Sequence, residues 1–143
     1  EKFLPITDKR MTRFWITLDQ ACEFVFNSFR IMRGSEIFVP KIPSVKITDL
    51  ALAMNKNVKI KYVGIRPGEK IYEVMCPRDD YHRTIEFKKY YIICPSTGKN
   101  HYKKFGTSLN GEKGKKVKES FEYNSETNPQ FLKINQIRKE FLW

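Results

Sequence analysis

Between Thr17 and Gly34 the sequence carries the local signals of a capped helix, and this is the segment that most constrains the fold. Thr17 and Gln20 stand three residues apart, the spacing at which a hydroxyl and an amide satisfy each other's backbone N–H groups. Leu18, Cys22, Val25, Phe29 and Met32 recur at three or four residues and form one apolar stripe. Arg30 and Arg33 suit the negative end of the helix dipole, and Gly34 supplies the stop. The predicted helix runs over Thr17–Arg33.

The flanking segments are short and alternate in type. Phe3–Thr7 reads as extended; Pro5 lacks an N–H, so this segment is an edge or lies against a ligand. Glu36–Val39 reads as a strand closed by Pro40, and Pro43 keeps the next residues out of a helix. Thr48 and Asp49 are placed to cap a second helix over Leu50–Met54, with Ile47 as a hydrophobic staple. Val58–Ile65 alternates apolar and polar residues, as a half-buried strand does. Arg66-Pro67-Gly68-Glu69 is a turn, and Lys70–Met75 reads as a short helix. Arg83–Phe87 and Tyr90–Cys94 flank Lys88-Lys89 as the arms of a hairpin. Lys133–Leu142 reads as a terminal helix carrying Ile134, Ile137 and Leu142. Alternating helices and strands joined by short links indicate α/β or α+β packing.

Composition narrows the function. With 143 residues and 41% hydrophobic side chains the chain can bury a core. No apolar run approaches the roughly 18 residues a membrane span needs. Cys22, Cys76 and Cys94 are odd in number and lack CxxC spacing, against a disulfide framework or a zinc site, so they read as core or half-buried thiols. The chain opens Glu1-Lys2-Phe3 with no Met and no leader, so it is expected to be a piece of a longer protein. The net charge of +11 points to anionic partners. Part of it lies in residues 98–118, where Lys99, Lys103, Lys104, Lys113, Lys115, Lys116 and Lys118 face only Glu112, diluted by Gly98, Gly106, Gly111 and Gly114. That composition predicts a solvated, flexible loop. A nucleic-acid-binding module would need stacking aromatics there, and only Tyr102 and Phe105 qualify. The expected organisation is a binding region over 1–97, a basic loop over 98–120 and a tail with the terminal helix over 121–143.

Two arginine-centred segments stand out. Arg10-Met11-Thr12-Arg13-Phe14-Trp15 precedes the strong helix; a guanidinium there can grip two phosphate oxygens beside water-excluding aromatics. Arg66-Pro67-Gly68-Glu69 follows a strand: Pro67 stiffens the turn, Gly68 allows positive φ or close ligand approach, Arg66 offers cationic donors and Glu69 offers acceptors for a vicinal diol such as a ribose. A diphosphate-linked nucleoside needs both kinds of group. By contrast, His82 and His101 have no ligand or carboxylate partner at useful spacing, no G-x-G occurs, and no Tyr-x-x-x-Lys occurs. The chain reads as a binding half without a reactive half.

Phe3-Leu-Pro-Ile-Thr-Asp-Lys-Arg-Met-Thr-Arg-Phe-Trp-Ile-Thr-Leu-Asp, Glu36-Ile-Phe-Val-Pro-Lys-Ile-Pro-Ser and Ile65-Arg-Pro-Gly-Glu-Lys, in that order, closely resemble the C-terminal part of inverting UDP-N-acetylglucosamine 4,6-dehydratases. These are CapD-like polysaccharide-biosynthesis proteins of the extended short-chain dehydrogenase/reductase superfamily. Glu73-Val-Met, Glu86-Phe with Tyr90-Tyr-Ile-Ile, and Phe121-Glu-Tyr-Asn-Ser also fit. The resemblance implies a cytoplasmic, homo-oligomeric lyase with NADP on an N-terminal Rossmann domain and no metal. In that scheme C4 of the sugar is oxidised, water is eliminated across C5 and C6, and hydride returns to C6 with inversion at C5. The present chain corresponds to the substrate-binding portion, with the Rossmann core and every catalytic residue elsewhere. Carried over by position, Arg13 and Arg66 meet the UDP phosphates, Gly68 shapes the turn, Glu69 meets the ribose hydroxyls, and Leu4, Pro5 and Ile6 lie along the uracil. The resemblance also implies that the piece alone is inactive and binds UDP weakly. A CapD-type UDP-sugar 4-epimerase shares these contacts and is the alternative outcome.

Overall fold

The computed structural model describes residues 3–97 and 100–141. They form a mixed α/β structure of short strands and helices, divided into two units that each draw on separate stretches of chain. Among the described residues no helix is long and apolar enough to cross a membrane.

The first unit takes its residues from 1–16, 42–73 and 124–143. Strand β1 (Phe3–Ile6) and strand β2 (Thr12–Phe14) open the chain, and β4 (Ser44–Lys46) pairs antiparallel with β2, setting Arg13 opposite Val45. Helix α2 (Ile47–Met54) follows directly, and β5 (Lys59–Tyr62) pairs in parallel with β1. The last helix, α4 (Ile134–Phe141), packs on α2. Between them Val45, Ala53, Leu132 and Ile137 form the buried core, with Trp15, Leu50 and Ile134 at its margin. Arg138 fastens the helix pair by donating to the carbonyls of Leu52 and Ala53 (2.8 and 2.9 Å), which α2 leaves unpaired at its C-terminal end.

Helix α2 begins three residues earlier than its Thr48-Asp49 signal suggests. The reason is tertiary: the Ile47 N–H donates to the Met11 carbonyl at 3.0 Å, so the first turn needs no side-chain cap. The terminal helix forms where expected, except that Leu142 lies outside the described residues.

The second unit takes its residues from 17–41 and 74–123. Helix α1 (Leu18–Ile31) has the capping box, with Gln20 N–H donating to the Thr17 hydroxyl (3.2 Å) and Thr17 N–H to the Gln20 side-chain amide oxygen Oε1 (3.1 Å). It ends two residues short of Arg33. The expected stripe faces outward: Leu18 is 79% exposed and Phe29 66%, while Phe24 and Ile31 are the side chains that reach the core. Strands β3 (Ile37–Pro40), β7 (Thr84–Glu86), β8 (Tyr90–Ile93) and β9 (Lys115–Lys116) make a sheet in the order β3-β8-β7-β9. The hairpin around Lys88-Lys89 forms as expected, closed by Phe87 N–H donating to the Tyr90 carbonyl. Strand β6 (Val74–Cys76) and a 3₁₀ turn over Arg78–Arg83 lead into it.

Two expectations fail here. Lys70–Met75 is not a helix: residues 74–76 are β6, and the carbonyls of Lys70 and Ile71 are taken by Arg13 and Thr12 instead of by residues one turn on. Nor is the basic segment a plain loop. Helix α3 (His101–Phe105) buries Phe105 in the core, and β9 adds to the sheet edge. Gly114 makes this approach possible, since a Cβ there would sit 2.6 Å from the Ile85 methyl and 2.8 Å from the Phe87 ring. The lysines remain on the outer side; Gly98 and Lys99 lie outside the described residues.

Ile137 has no exposed surface and joins α4 to the first unit's core. Ile137→Ala is therefore expected to cost about 2–5 kcal/mol, read as a lowered urea midpoint with little change in slope.

Candidate functional site

Every predicted site residue falls within the first unit. The parallel pairing of β1 and β5 runs on past the strands, with Val63 N–H donating to the Ile6 carbonyl (2.9 Å) and Gly64 N–H to the Thr7 carbonyl (3.1 Å). The chain then reaches the Arg66–Glu69 turn beside Thr7. Ile6 is buried and anchors β1, whereas Phe3, Leu4 and Pro5 are exposed, with the Lys61 ammonium 4.9 Å from the centre of the Phe3 ring. Tyr62, Val63 and Ile65 extend this exposed apolar strip.

The turn is closed by Glu69 N–H donating to the Arg66 carbonyl at 3.0 Å. Pro67 and Gly68 occupy its two central positions and Gly68 has φ +79°, the arrangement of a type II turn. The Glu69 carboxylate is half used: one oxygen accepts from the Arg66 N–H (3.2 Å) and the other from the Thr7 hydroxyl (3.1 Å). An ionised carboxylate offers about four acceptor directions, so two remain. The Arg66 side chain is exposed, and among the described residues nothing pairs with its guanidinium.

The other two arginines are differently placed. Arg10 is bound to Asp8 through Nε (3.0 Å) and Nη2 (2.8 Å), and this contact holds the Asp8 carboxyl down at about 2. Arg13 points along the main chain of the 70–71 segment. Its Nη1 donates to the carbonyls of Thr12 (2.7 Å) and Ile71 (3.1 Å), and its Nη2 to that of Lys70 (2.8 Å). A guanidinium has five N–H donors, so about two are left over. Arg13 thus braces the residues that follow the turn, and Arg66 is the arginine with its donors open.

A buried polar set lies behind this brace that the sequence did not mark as functional. Glu73 accepts the Phe14 N–H at 2.8 Å, and Ser125 and Thr12, both buried, bring their hydroxyl oxygens to 2.9 Å. Glu73 and Ser125 lie in segments that fit the family pattern, but nothing in their spacing announces that they meet.

The remaining chemistry-bearing residues are inert or isolated. Burial pushes the Cys76 thiol up to about 12 and Cys94 to about 11, so both stay protonated; Cys22 is exposed, not half-buried. Among the described residues no three His, Cys, Asp or Glu side chains gather as a metal site would require. The described residues also do not fit a dinucleotide cofactor. No described helix opens on a glycine-rich loop, and the capping box of α1 takes up the Thr17 and Gln20 N–H groups at its start.

Comparison with known proteins shows the family of the chain. The family model described as "Polysaccharide biosynthesis protein" matches residues 1–95. Two Campylobacter jejuni subsp. jejuni proteins named "UDP-N-acetylglucosamine 4,6-dehydratase (inverting)" are similar. One is 52% identical over 137 residues, covering 95% of this chain and 41% of the relative; the other is 53% identical over 131 residues, covering 90% and 39%. A "UDP-glucose 4-epimerase" of Rickettsia akari is more distant, 35% identical over 147 residues, covering 99% of this chain and 41% of the relative. The X-ray structure of Pen from Bacillus thuringiensis superposes with a TM-score of 0.75 at 28% identity, covering 97% of this chain and 40% of that one. The chain spans about two-fifths of the length of the curated relatives it matches.

A Cβ at residue 68 would meet nothing within 4 Å, so Gly68→Ala isolates the cost of the positive φ. The expected loss is about 1–2 kcal/mol in urea unfolding, from backbone strain alone.

Proposed function

The chain belongs to the polysaccharide biosynthesis protein family, and from that premise we propose that its first unit binds the UDP end of a nucleotide sugar within an NADP-dependent, inverting UDP-N-acetylglucosamine 4,6-dehydratase, of which this chain is the C-terminal part. The observation that carries the reading is the open guanidinium of Arg66 on a rigid Pro-Gly turn, beside a carboxylate with spare acceptor capacity and an exposed apolar strand. A phosphate group suits a guanidinium through two parallel N–H···O bonds. The two unused Arg13 donors lie on a guanidinium held against the Lys70 and Ile71 carbonyls just after the turn, and supply further contacts to a diphosphate. The free acceptor directions of Glu69 suit the ribose diol, and Leu4 and Pro5 give the uracil an apolar surface.

The role of these residues is binding and orientation. The hydride chemistry is supplied by NADP, held by a part of the enzyme outside this chain, and no step of it is assigned to a residue here. The greater identity to the dehydratases than to the epimerase favours the dehydratase outcome. Assay of the full-length enzyme with UDP-N-acetylglucosamine distinguishes them, since a 4-keto-6-deoxy product marks a dehydratase and a 4-epimer an epimerase.

Binding is tested on the 143-residue chain by following its amide resonances during UDP titration. The expected result is an affinity weaker than micromolar, with shifts at residues 4–6, 13 and 66–69. Arg66→Ala is expected to reduce the affinity about 10- to 100-fold, the equivalent of charge-assisted hydrogen bonds worth roughly 1.5–3 kcal/mol. Shifts confined to other regions, or an unaffected Arg66→Ala variant, would contradict the proposal.

A further inference from the structure

Ser125 makes an unusually complete set of bonds for a residue 52 and 113 positions away from its partners. Its hydroxyl accepts the Glu73 N–H at 2.9 Å, lies 2.9 Å from the Thr12 hydroxyl and donates to the Thr12 carbonyl at 3.2 Å. A serine hydroxyl has one proton and two lone pairs. Either hydroxyl can donate in the Ser125–Thr12 pair; with Thr12 as the donor, the Ser125 proton goes to the Thr12 carbonyl and all three hydrogen-bonding positions of Ser125 are filled. Its own N–H donates to the Glu73 carbonyl at 2.9 Å. Ser125 has no exposed surface and Thr12 is 3% exposed, so both hydroxyls are withdrawn from bulk solvent.

The two residues Ser125 grips flank the Arg13 brace. Thr12 precedes Arg13 and gives its N–H to the Ile71 carbonyl at 2.9 Å. Glu73 ends the segment whose Lys70 and Ile71 carbonyls Arg13 holds, and its carboxylate accepts the Phe14 N–H. Residues 12–14 and 70–73 are therefore laced together from both ends, by Arg13 at one and by Ser125 with Glu73 at the other. The direction left to the free Arg13 donors, and the anchorage of the Arg66–Glu69 turn that runs into residue 70, depend on this lacing.

We infer that Ser125 is a positioning residue for diphosphate recognition: it fixes the main chain around Arg13 and Glu73, and through them the cationic groups, without touching the nucleotide. The inference rests on the reading of Arg13 and Arg66 as the diphosphate site. It predicts a phosphate-specific defect. When the lacing loosens, UDP should lose more affinity than uridine, which lacks the phosphates.

The test titrates the 143-residue chain with UDP and with uridine and compares the two affinities. Ser125→Ala should lower the UDP-to-uridine affinity ratio about tenfold, since small misplacements of binding groups have effects of at least that size. In a cycle with Arg13→Lys the two effects on that ratio should be non-additive, as they must be if Ser125 acts through Arg13. Should Ser125→Ala fail to fold, Ser125→Cys keeps most of the volume with a weaker hydrogen-bonding group and serves as the reading variant. Thr12→Ser, which retains the hydroxyl, should keep the wild-type ratio, and Thr12→Val should lower it. A wild-type ratio in the Ser125 variant while Arg66→Ala lowers it, or an equal loss of UDP and uridine, would overturn the positioning role and leave the diphosphate site standing. An equal affinity of the wild-type chain for UDP and uridine would overturn both.

Discussion

The first unit is organised by one side chain spending its hydrogen bonds on the main chain. Arg13 gives three N–H groups to carbonyls of residues 12, 70 and 71. Those carbonyls would otherwise close a helical turn or face water. Once they are committed, the segment after the Pro-Gly turn does not close a helical turn, Glu73 reaches the Phe14 N–H, and Ser125 completes the join. The turn presenting Arg66 is thereby held at its C-terminal end by Arg13 and through Glu69 by Thr7. A flexible lysine-rich surface attracts anions without orienting them; a guanidinium on a braced turn can do both.

This arrangement divides work among three arginines that look alike in sequence. Arg10 is neutralised by Asp8, Arg13 is mostly structural, and Arg66 remains open. The proposed nucleotide contacts therefore depend on only one fully available guanidinium plus the remainder of another. That modest endowment suits the proposal that the nucleotide site is completed by residues outside this chain and that the 143-residue chain binds UDP weakly.

What could be read from the sequence was what is decided locally. The Thr17 capping box, the Lys88-Lys89 hairpin and the Pro67-Gly68 turn each draw on residues within a few positions, and all three form. The Arg66–Glu69 turn and Arg13 were legible because residue chemistry and family resemblance pointed to the same positions. The misses share a different cause. Lys70–Met75 looks helical until Arg13, 57 residues away, takes a carbonyl from it. Helix α2 starts early because a carbonyl from Met11 satisfies its first N–H. The basic segment is ordered because Gly114 lets it lie on Ile85 and Phe87. Ser125 shows no signal of its own, since its importance comes only from meeting Thr12 and Glu73 in space.

The most direct measurement is a crystal structure of the full-length enzyme with UDP bound. Diphosphate oxygens are expected within hydrogen-bonding distance of the Arg66 guanidinium and of the Arg13 donors not used by the main chain, with the Arg13 bonds to the Lys70 and Ile71 carbonyls still in place. A diphosphate bound away from Arg66, or an Arg13 that abandons those carbonyls to reach it, would contradict the claim that a braced turn is what holds the nucleotide.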